Sequence, residues 1–289
     1  MEDKSTAVKN LGESSQQTLP HNLPQNKPGL KIGVIGGGYV GGTVARWYRE
    51  HGATVKVYDK FRDSDPVKEV LRQDYIFIAV PTNFDGKGID LSAMDDAMQN
   101  ASKSSAKAVI IKSTVVPGTT DHYQKMYPKI KILFNPEFLT ESTAFQDFGY
   151  PDRQIIGYTD QSYGLAADIE AILPLAPFVR MVPANVAEMA KYFGNTWFSV
   201  KVVFANQMYD LCDKLGIDYG LVRDIVGADR RIGRSHLDVT HGGYRGYGGK
   251  CLPKDTRTLI SFAKEHGVDL ELLRVVEEIN KRLTGGVDR

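Results

Sequence analysis

The sequence predicts an α/β fold, a doubly wound Rossmann-type parallel sheet followed by a helical domain with one long central helix. Three observations predict it. A short, mostly apolar run, Lys31 to Ile35, leads into Gly36-x-Gly38-x-x-Gly41 and then a helical pattern. Strand-like apolar runs alternate with helical stretches as far as about residue 182. From Asn185 to about Leu215 there is no proline and one glycine, Gly194, while Met189, Phe193, Trp197, Val200, Phe204, Met208 and Leu211 recur at three- and four-residue steps.

The 289 residues divide into a tail over 1–29, an α/β domain over 30–182 and a helical domain over 183–289. The tail is rich in Lys, Ser, Gln, Asn and Pro with almost no large apolar side chains, so it reads as disordered, and it lacks the apolar core of a secretion signal. The 36 basic residues balance 35 acidic ones, which removes any electrostatic case for binding nucleic acid or an anionic membrane surface. No run approaches the ~18 apolar residues of a membrane span. Two cysteines are no disulfide framework and fit a reducing cytoplasm.

In the first domain, Val44, Ala45, Trp47 and Tyr48 carry the helix after the glycines to about Gly52, and the strand Thr54 to Tyr58 ends at Asp59, 18 residues beyond Gly41. Strand, Gly-x-Gly-x-x-Gly, helix, strand and acid is the context a dinucleotide site requires. Gly36, Gly38 and Gly41, with Tyr39 and Val40 between them, let a pyrophosphate reach a helix N-terminus, and Asp59 takes ribose hydroxyls. A carboxylate there repels a ribose phosphate and so favours NAD over NADP, an inference that Lys60 weakens. Further strands are expected over Tyr75 to Val80, Ala108 to Ile111, Ile130 to Phe134 and Gln154 to Tyr158, with helices opening near Leu91 and at Pro117 to Thr120. Three strands end in Pro81-Thr82-Asn83, Lys112-Ser113-Thr114 and Asn135 to Glu141, where an open parallel sheet builds its site.

In the second domain Lys191 and Asn195 stand four apart on one helix face, and Cys212 reads as an inert packing residue. A helix over Tyr219 to Val226 precedes Arg230, Arg231 and Arg234, which could grip a phosphorylated ligand or form a solvated surface. Gly248-Gly249-Lys250-Cys251-Leu252-Pro253-Lys254-Asp255 then sets a cysteine at a helix start between two lysines. A thiol so placed is expected to ionise more easily than a free one, and Asp255, one turn on, could handle a proton. On these residues alone, a small buried cysteine in a glycine-rich turn is an equal reading.

Taken together and in this order, Gly36-x-Gly38-x-x-Gly41, Val80-Pro81-Thr82, Lys112-Ser113-Thr114, Asn135-Pro136-Glu137-Phe138-Leu139-x-Glu141, Lys191-x-x-x-Asn195, Arg231-Ile232-Gly233 and Gly248-Gly249-x-Cys251-Leu252-Pro253-Lys254-Asp255 resemble the UDP-glucose 6-dehydrogenase / GDP-mannose dehydrogenase family. The resemblance runs from Lys31 to Leu283. It implies oxidation of a sugar C6 alcohol to the acid with two NAD⁺, through a thiohemiacetal and a thioester on Cys251. It implies that Lys191 and Asn195 stabilise charge on the C6 oxygen, and that Glu141, Thr114 and Asp255 manage protons and water. Glu137, Phe138 and Leu139 would line the sugar, and the backbone from Tyr244 to Gly249, including Tyr247 and Gly248, would wrap it. Thr82, Thr114 and Lys254 would contact NAD, and Arg231 would reach a neighbouring subunit's substrate in a homodimer formed through the long helix.

UDP-glucose is the expected substrate and UDP-glucuronate, feeding cell-surface polysaccharide, the expected product; GDP-mannose and a UDP-N-acetylhexosamine are alternatives. Asn83 departs from the family's usual second proline. The sequence ends at Arg289, where family members usually continue into a domain that holds much of the UDP. A short branch, a fragment and half of a split enzyme are equally open, as is a non-catalytic NAD-binding module that only dimerises. A β-hydroxyacid dehydrogenase would share the first domain and a long helix but would have no use for Cys251.

Overall fold

The computed structural model describes residues 26–287. The tail read over 1–29 lies outside the described residues up to position 25. Lys27 is already tied to the first domain, its N–H donating to His51 O at 2.7 Å and its Nζ to Ala171 O at 3.0 Å.

The first domain runs β1 (Lys31–Ile35), α1 (Tyr39–Glu50), β2 (Thr54–Tyr58), α2 (Val67–Val70), β3 (Tyr75–Ile78), α3 (Ser92–Ala101), β4 (Ala108–Ile111), α4 (Thr119–Met126), β5 (Ile132–Phe134), α5 (Ala144–Gly149), β6 (Arg153–Tyr158), α6 (Ala166–Ile172) and β7 (Phe178–Pro183). The central strands are apolar without a break because both of their faces are covered. Tyr75 and Phe77 of β3 join a core with Trp47 and Tyr48 of α1 and Phe148 of α5. Ile76 and Ile78 join the opposite core with Met94 and Met98 of α3 and Tyr123 of α4.

The sheet order is β2-β1-β3-β4-β5-β6-β7. Its winding reverses between β1 and β3, which opens a crevice at the carboxyl ends of those strands. Two strands depart from the expected parallel sheet: β6 runs antiparallel to β5, pairing Leu133 with Tyr158 and Phe134 with Gly157, and β7 runs parallel to β6. Also absent from the sequence expectation are the short helices α2, α5 and α6 and the strand β7.

The second domain comprises α7 (Ala184–Leu215), α8 (Tyr219–Gly227), a small hairpin of β8 (Thr240–His241) and β9 (Tyr244–Arg245), α9 (Leu252–Glu265) and α10 (Glu271–Leu283). At ~1.5 Å per residue α7 is about 48 Å long. It is seated on the sheet at Gly157, where an added Cβ would lie 3.0 Å from Ala184 Cα and from Ala187 Cβ. Packing on α7 is mixed: Tyr192, Val202 and Val203 are buried on it beside polar side chains. Its buried face carries Glu188, Lys191, Asn195, Thr196, Ser199 and Asn206, while Phe193, Trp197, Phe204 and Leu211 are exposed. Two small apolar clusters, Val202, Val203, Tyr247 and Val276, and Tyr192, Leu259 and Leu273, hold α9 and α10 against it.

Candidate active site

The crevice is floored by the glycine loop. Gly36 has φ +96° and a Cβ there would strike Ala79 O at 2.4 Å, while a Cβ on Gly41 would strike Gly36 O at 1.8 Å. These two glycines are demanded by the fold. Gly38 is not: an added Cβ would meet nothing within 4 Å, so the room it leaves faces outward, where a ligand would approach. Gly38 caps α1 without a side-chain hydrogen bond, and the first turn, containing Tyr39 and Val40, has no acidic residue. Its N–H groups are therefore available to an anion. Asp59, at the end of β2, accepts from Gly37 N at 2.8 Å and from Phe61 N at 2.9 Å, which fixes the carboxylate at the rim beside the loop. Across the crevice, Thr82 Oγ1 donates to Thr114 O at 2.8 Å and Ser113 Oγ to Val80 O at 2.7 Å, joining the loops after β3 and β4. Gly36, Gly38, Gly41, Asp59, Thr82 and Thr114 thus line one mouth, and the room at Gly38 with the open helix terminus fits a dinucleotide.

The chemistry-bearing side chains lie where α7 and α9 meet this mouth. Lys191 Nζ pairs with Glu137 Oε1 at 3.1 Å, both side chains being nearly buried, and Glu137 Oε2 accepts from Leu139 N at 2.7 Å. Burial pushes the Glu137 carboxyl up, but the charge of Lys191, the Leu139 N–H and the charge of Lys112 more than reverse this and hold it below the usual carboxylate range. Phe138 lies between two cations, with Arg153 3.8 Å and Lys191 Nζ 5.3 Å from its ring centre. Asn195 Nδ2 donates to the buried Asp255 Oδ2 at 2.5 Å, and Lys254 Nζ engages Asp255 Oδ1. Tyr39 Oη donates to Thr140 O at 2.6 Å, drawing the Asn135 to Glu141 loop towards α1, and Glu141 stands exposed on its rim.

Cys251 caps α9 and retains an exposed surface. The expectation of an easily ionised thiol is corrected. Packing around the sulfur raises its pKa, Asp255 and Glu137 raise it further, and Lys191 and Lys254 only partly oppose them. The sequence placed two lysines beside the thiol, but Lys254 spends its charge on Asp255, whose carboxylate sits in the first turn of the same helix.

Two of the expected substrate-lining residues are engaged within the chain. The Tyr247 side chain points inward, its Oη donating to Glu277 Oε2 at 2.7 Å, while its N–H donates to Asn280 Oδ1 at 2.7 Å. Asn280 fits against Gly246 (φ +82°), where a Cβ would lie 2.6 Å from its Oδ1. What Tyr247 and Gly248 offer a ligand is therefore backbone. Arg231 is 89% exposed in its side chain and bonded only locally, to Asp229 at 2.6 Å, so it does not join the site of its own chain.

Sequence reasoning assigned no role to Lys112 or Glu188. Lys112 is buried at the end of β4, with Nζ donating to Asn135 O at 3.1 Å and Asn135 Oδ1 at 2.7 Å; burial brings its pKa down to about 7. Glu188 is buried on α7 and accepts from Gly118 N at 2.6 Å, Thr120 N at 2.8 Å and Thr120 Oγ1 at 2.6 Å, at the start of α4. The usable signals were a lysine directly continuing a fully apolar strand, and a glutamate three residues before Lys191 on the same helix face.

Fold and site together define a dinucleotide-binding dehydrogenase domain joined to a helical domain that brings a cysteine to the crevice. The profile of the UDP-glucose/GDP-mannose dehydrogenase family's NAD binding domain matches residues 60–172, and that of its central domain matches residues 185–282. A UDP-glucose 6-dehydrogenase of Haloferax volcanii is 32% identical over 87% of this chain and 69% of its own length. One of Rickettsia conorii is 36% identical over 74% of this chain and 50% of its own. A UDP-glucose dehydrogenase from Pyrobaculum islandicum superposes with a TM-score of 0.75 at 28% identity, covering 88% of this chain and 68% of that one. The chain belongs to the UDP-glucose/GDP-mannose dehydrogenase family, and its first domain is an NAD-binding domain. It spans about half to two thirds of the length of these relatives. Among the described residues no helix is long and apolar enough to cross a membrane.

Proposed function

We propose that the protein oxidises the C6 alcohol of a nucleotide sugar, UDP-glucose foremost, to the carboxylic acid. The observation that carries this reading is the convergence of Cys251, the Asn195–Asp255 pair and the Lys191–Glu137 pair on the mouth of the NAD-binding crevice. Bound NAD⁺ would supply the hydride acceptor for each of the two oxidations. Lys191, cationic and desolvated, stabilises negative charge on the C6 oxygen, and the Asn195 amide holds its neighbour Asp255 in place. Cys251 adds to the aldehyde carbon to give a thiohemiacetal; loss of the second hydride leaves a thioester, which water cleaves to acid and free thiol. Asp255, one turn from the sulfur, is placed to take the proton from the thiol and then from the attacking water. Glu137, Phe138 and Leu139 line the sugar, Glu141 and Thr114 manage protons at its edge, and Lys254 meets the cofactor. UDP-glucose is favoured by the relatives named for it; GDP-mannose and UDP-N-acetylhexosamines are the competing substrates. NADH formation by the purified protein against a panel of nucleotide sugars tests the assignment.

A homodimer through α7 is part of the proposal. Phe193, Trp197, Phe204 and Leu211 of α7 and Leu221 and Ile225 of α8 are all exposed, forming an apolar surface of the kind that marks an interface. It continues into an apolar groove of about 580 Å³ lined by Pro117, Val186, Met189 and Phe193. In such a dimer the exposed guanidinium of Arg231, held only by the neighbouring Asp229, would extend towards the partner's sugar.

A further inference from the structure

We propose that Lys112 is a positioning residue of this site: its buried ammonium, tied to both oxygens of Asn135, fixes the placement of Glu137 and keeps that carboxylate ionised as the partner of Lys191. The proposal rests on the reading of Glu137 and Lys191 as members of the reacting site.

A buried ammonium at this position is costly. Lys112 continues a strand whose four residues are wholly buried, and it is itself 3% exposed. A leucine or methionine would fill that place without desolvating a charge, and neutral acceptors offset such a charge only in part. The partners are nonetheless built with care. Asn135 is fully buried and held by its own amide, which donates to Ile155 O at 2.8 Å and Gln154 Oε1 at 3.2 Å. Its two oxygens are thereby aimed at Lys112 Nζ. A polar chain from Gln154 through Asn135 to Lys112 therefore runs beneath the crevice and pins the backbone two residues before Glu137.

Glu137 faces Lys191 from α7 and Lys112 from the end of β4, with the Tyr39 hydroxyl on α1 and the Cys251 thiol at the head of α9 on its open sides. Lys112 faces Glu137 and Lys191, and the Phe148 ring lies 5.5 Å from its Nζ. One carboxylate thus sits between two ammonium groups. Lys112, its pKa brought down to about 7 by burial, becomes fully charged as the pH falls below neutrality, and there it adds to Lys191 and the Leu139 N–H in holding Glu137 ionised. The Lys191–Glu137 pair is thereby supported on the acid side of neutrality.

The test compares Lys112→Met with Lys112→Arg. In protein carrying ¹³C-labelled glutamate, the Glu137 carboxyl titration, assigned with Glu137→Gln, should move up by about one pH unit in Lys112→Met and stay near its wild-type position in Lys112→Arg. In NADH-formation assays with UDP-glucose, Lys112→Met should lower kcat about tenfold and move the acid limb of kcat/KM upward by a similar amount. KM for NAD⁺ should change less than threefold. A Lys112→Met variant that melts earlier but leaves both the Glu137 titration and the acid limb in place would assign Lys112 to packing alone and overturn the proposal. The carboxyl titration needs no turnover, so an inactive wild-type protein would count against the proposed function without touching this inference. If Lys112→Met fails to fold, Lys112→Gln carries the same comparison.

Discussion

Asn195 on α7 donates to Asp255 on α9 at 2.5 Å, with both residues buried, so the helix that bears Lys191 is bonded to the helix that begins at Cys251. The same carboxylate raises the thiol's pKa. Asp255→Asn should therefore separate reactivity from catalysis: alkylation of Cys251 by iodoacetamide at pH 7.5 should speed up several-fold, while turnover falls. Cys251→Ser should keep NAD⁺ affinity, since the Gly38 and Asp59 end of the crevice is untouched, and lose steady-state turnover by several orders of magnitude. Ligand titration followed by an NADH assay checks both, and near-normal turnover in Cys251→Ser would make the thiol structural.

Lys191→Ala removes the cation that pairs with Glu137 and stands over Phe138. We expect kcat to fall about a hundredfold or more, as for one lost oxyanion donor. Because a buried carboxylate loses its nearest partner, stability should also fall by about 3 kcal/mol. Denaturant melts beside single-turnover kinetics separate the two effects. A loss confined to KM would remove Lys191 from the chemistry.

Glu188 joins the two domains and gives them a pH dependence. Burial pushes its carboxyl up to about 7, against the pull of Thr120 and the Gly118 N–H, so the folded protein holds a proton there that the unfolded chain releases near its ordinary value of 4.5. This site's contribution to stability therefore declines as the pH rises from about 4.5 to about 7 and is flat above. At ~1.4 kcal/mol per pH unit the decline is bounded at about 3 kcal/mol. Glu188→Gln lacks this titration, so wild type should lose stability relative to the variant between pH 5 and pH 8. Parallel thermal melts at the two pH values measure it, and a constant difference would contradict the assignment.

The exposed face of α7 should bury itself in a dimer. Phe193→Asp combined with Trp197→Asp should convert a dimer at micromolar concentration to a monomer in sedimentation, with the circular dichroism of α7 retained. A wild-type protein that is monomeric and active would remove both the interface and the role of Arg231 across it.

The fold was legible where a period was long or a motif had its context. Gly36 to Asp59 announces the crevice because tight turn, helix start and acid must follow one another, and α7 announces itself over thirty-two residues. Short helices such as α5 carry too few apolar positions to register, and the antiparallel placement of β6 depends on its strand partners rather than on its own pattern. In the candidate site, Lys191, Asn195, Cys251 and Asp255 were singled out by the resemblance of their motifs to the family, spacing alone leaving a buried turn cysteine as an equal reading. Their electrostatics were not legible, because the state of Cys251 depends on which carboxylates and lysines meet in space: Lys254 beside the thiol in sequence is spent on Asp255, and Glu137 is remote in sequence but acts on the sulfur. Lys112 and Glu188 stayed hidden for the same reason, since each takes its meaning from a loop elsewhere in the chain.

The most direct test of the central claim is the stoichiometry of NADH against nucleotide sugar consumed, measured on the purified protein with UDP-glucose and the competing sugars. Oxidation of alcohol to acid is a four-electron change, and the placement of Cys251 beside Asp255 at the crevice predicts two NADH and one uronic acid for each sugar consumed. One NADH with free aldehyde accumulating, or NAD⁺ binding with no turnover of any nucleotide sugar, would contradict it.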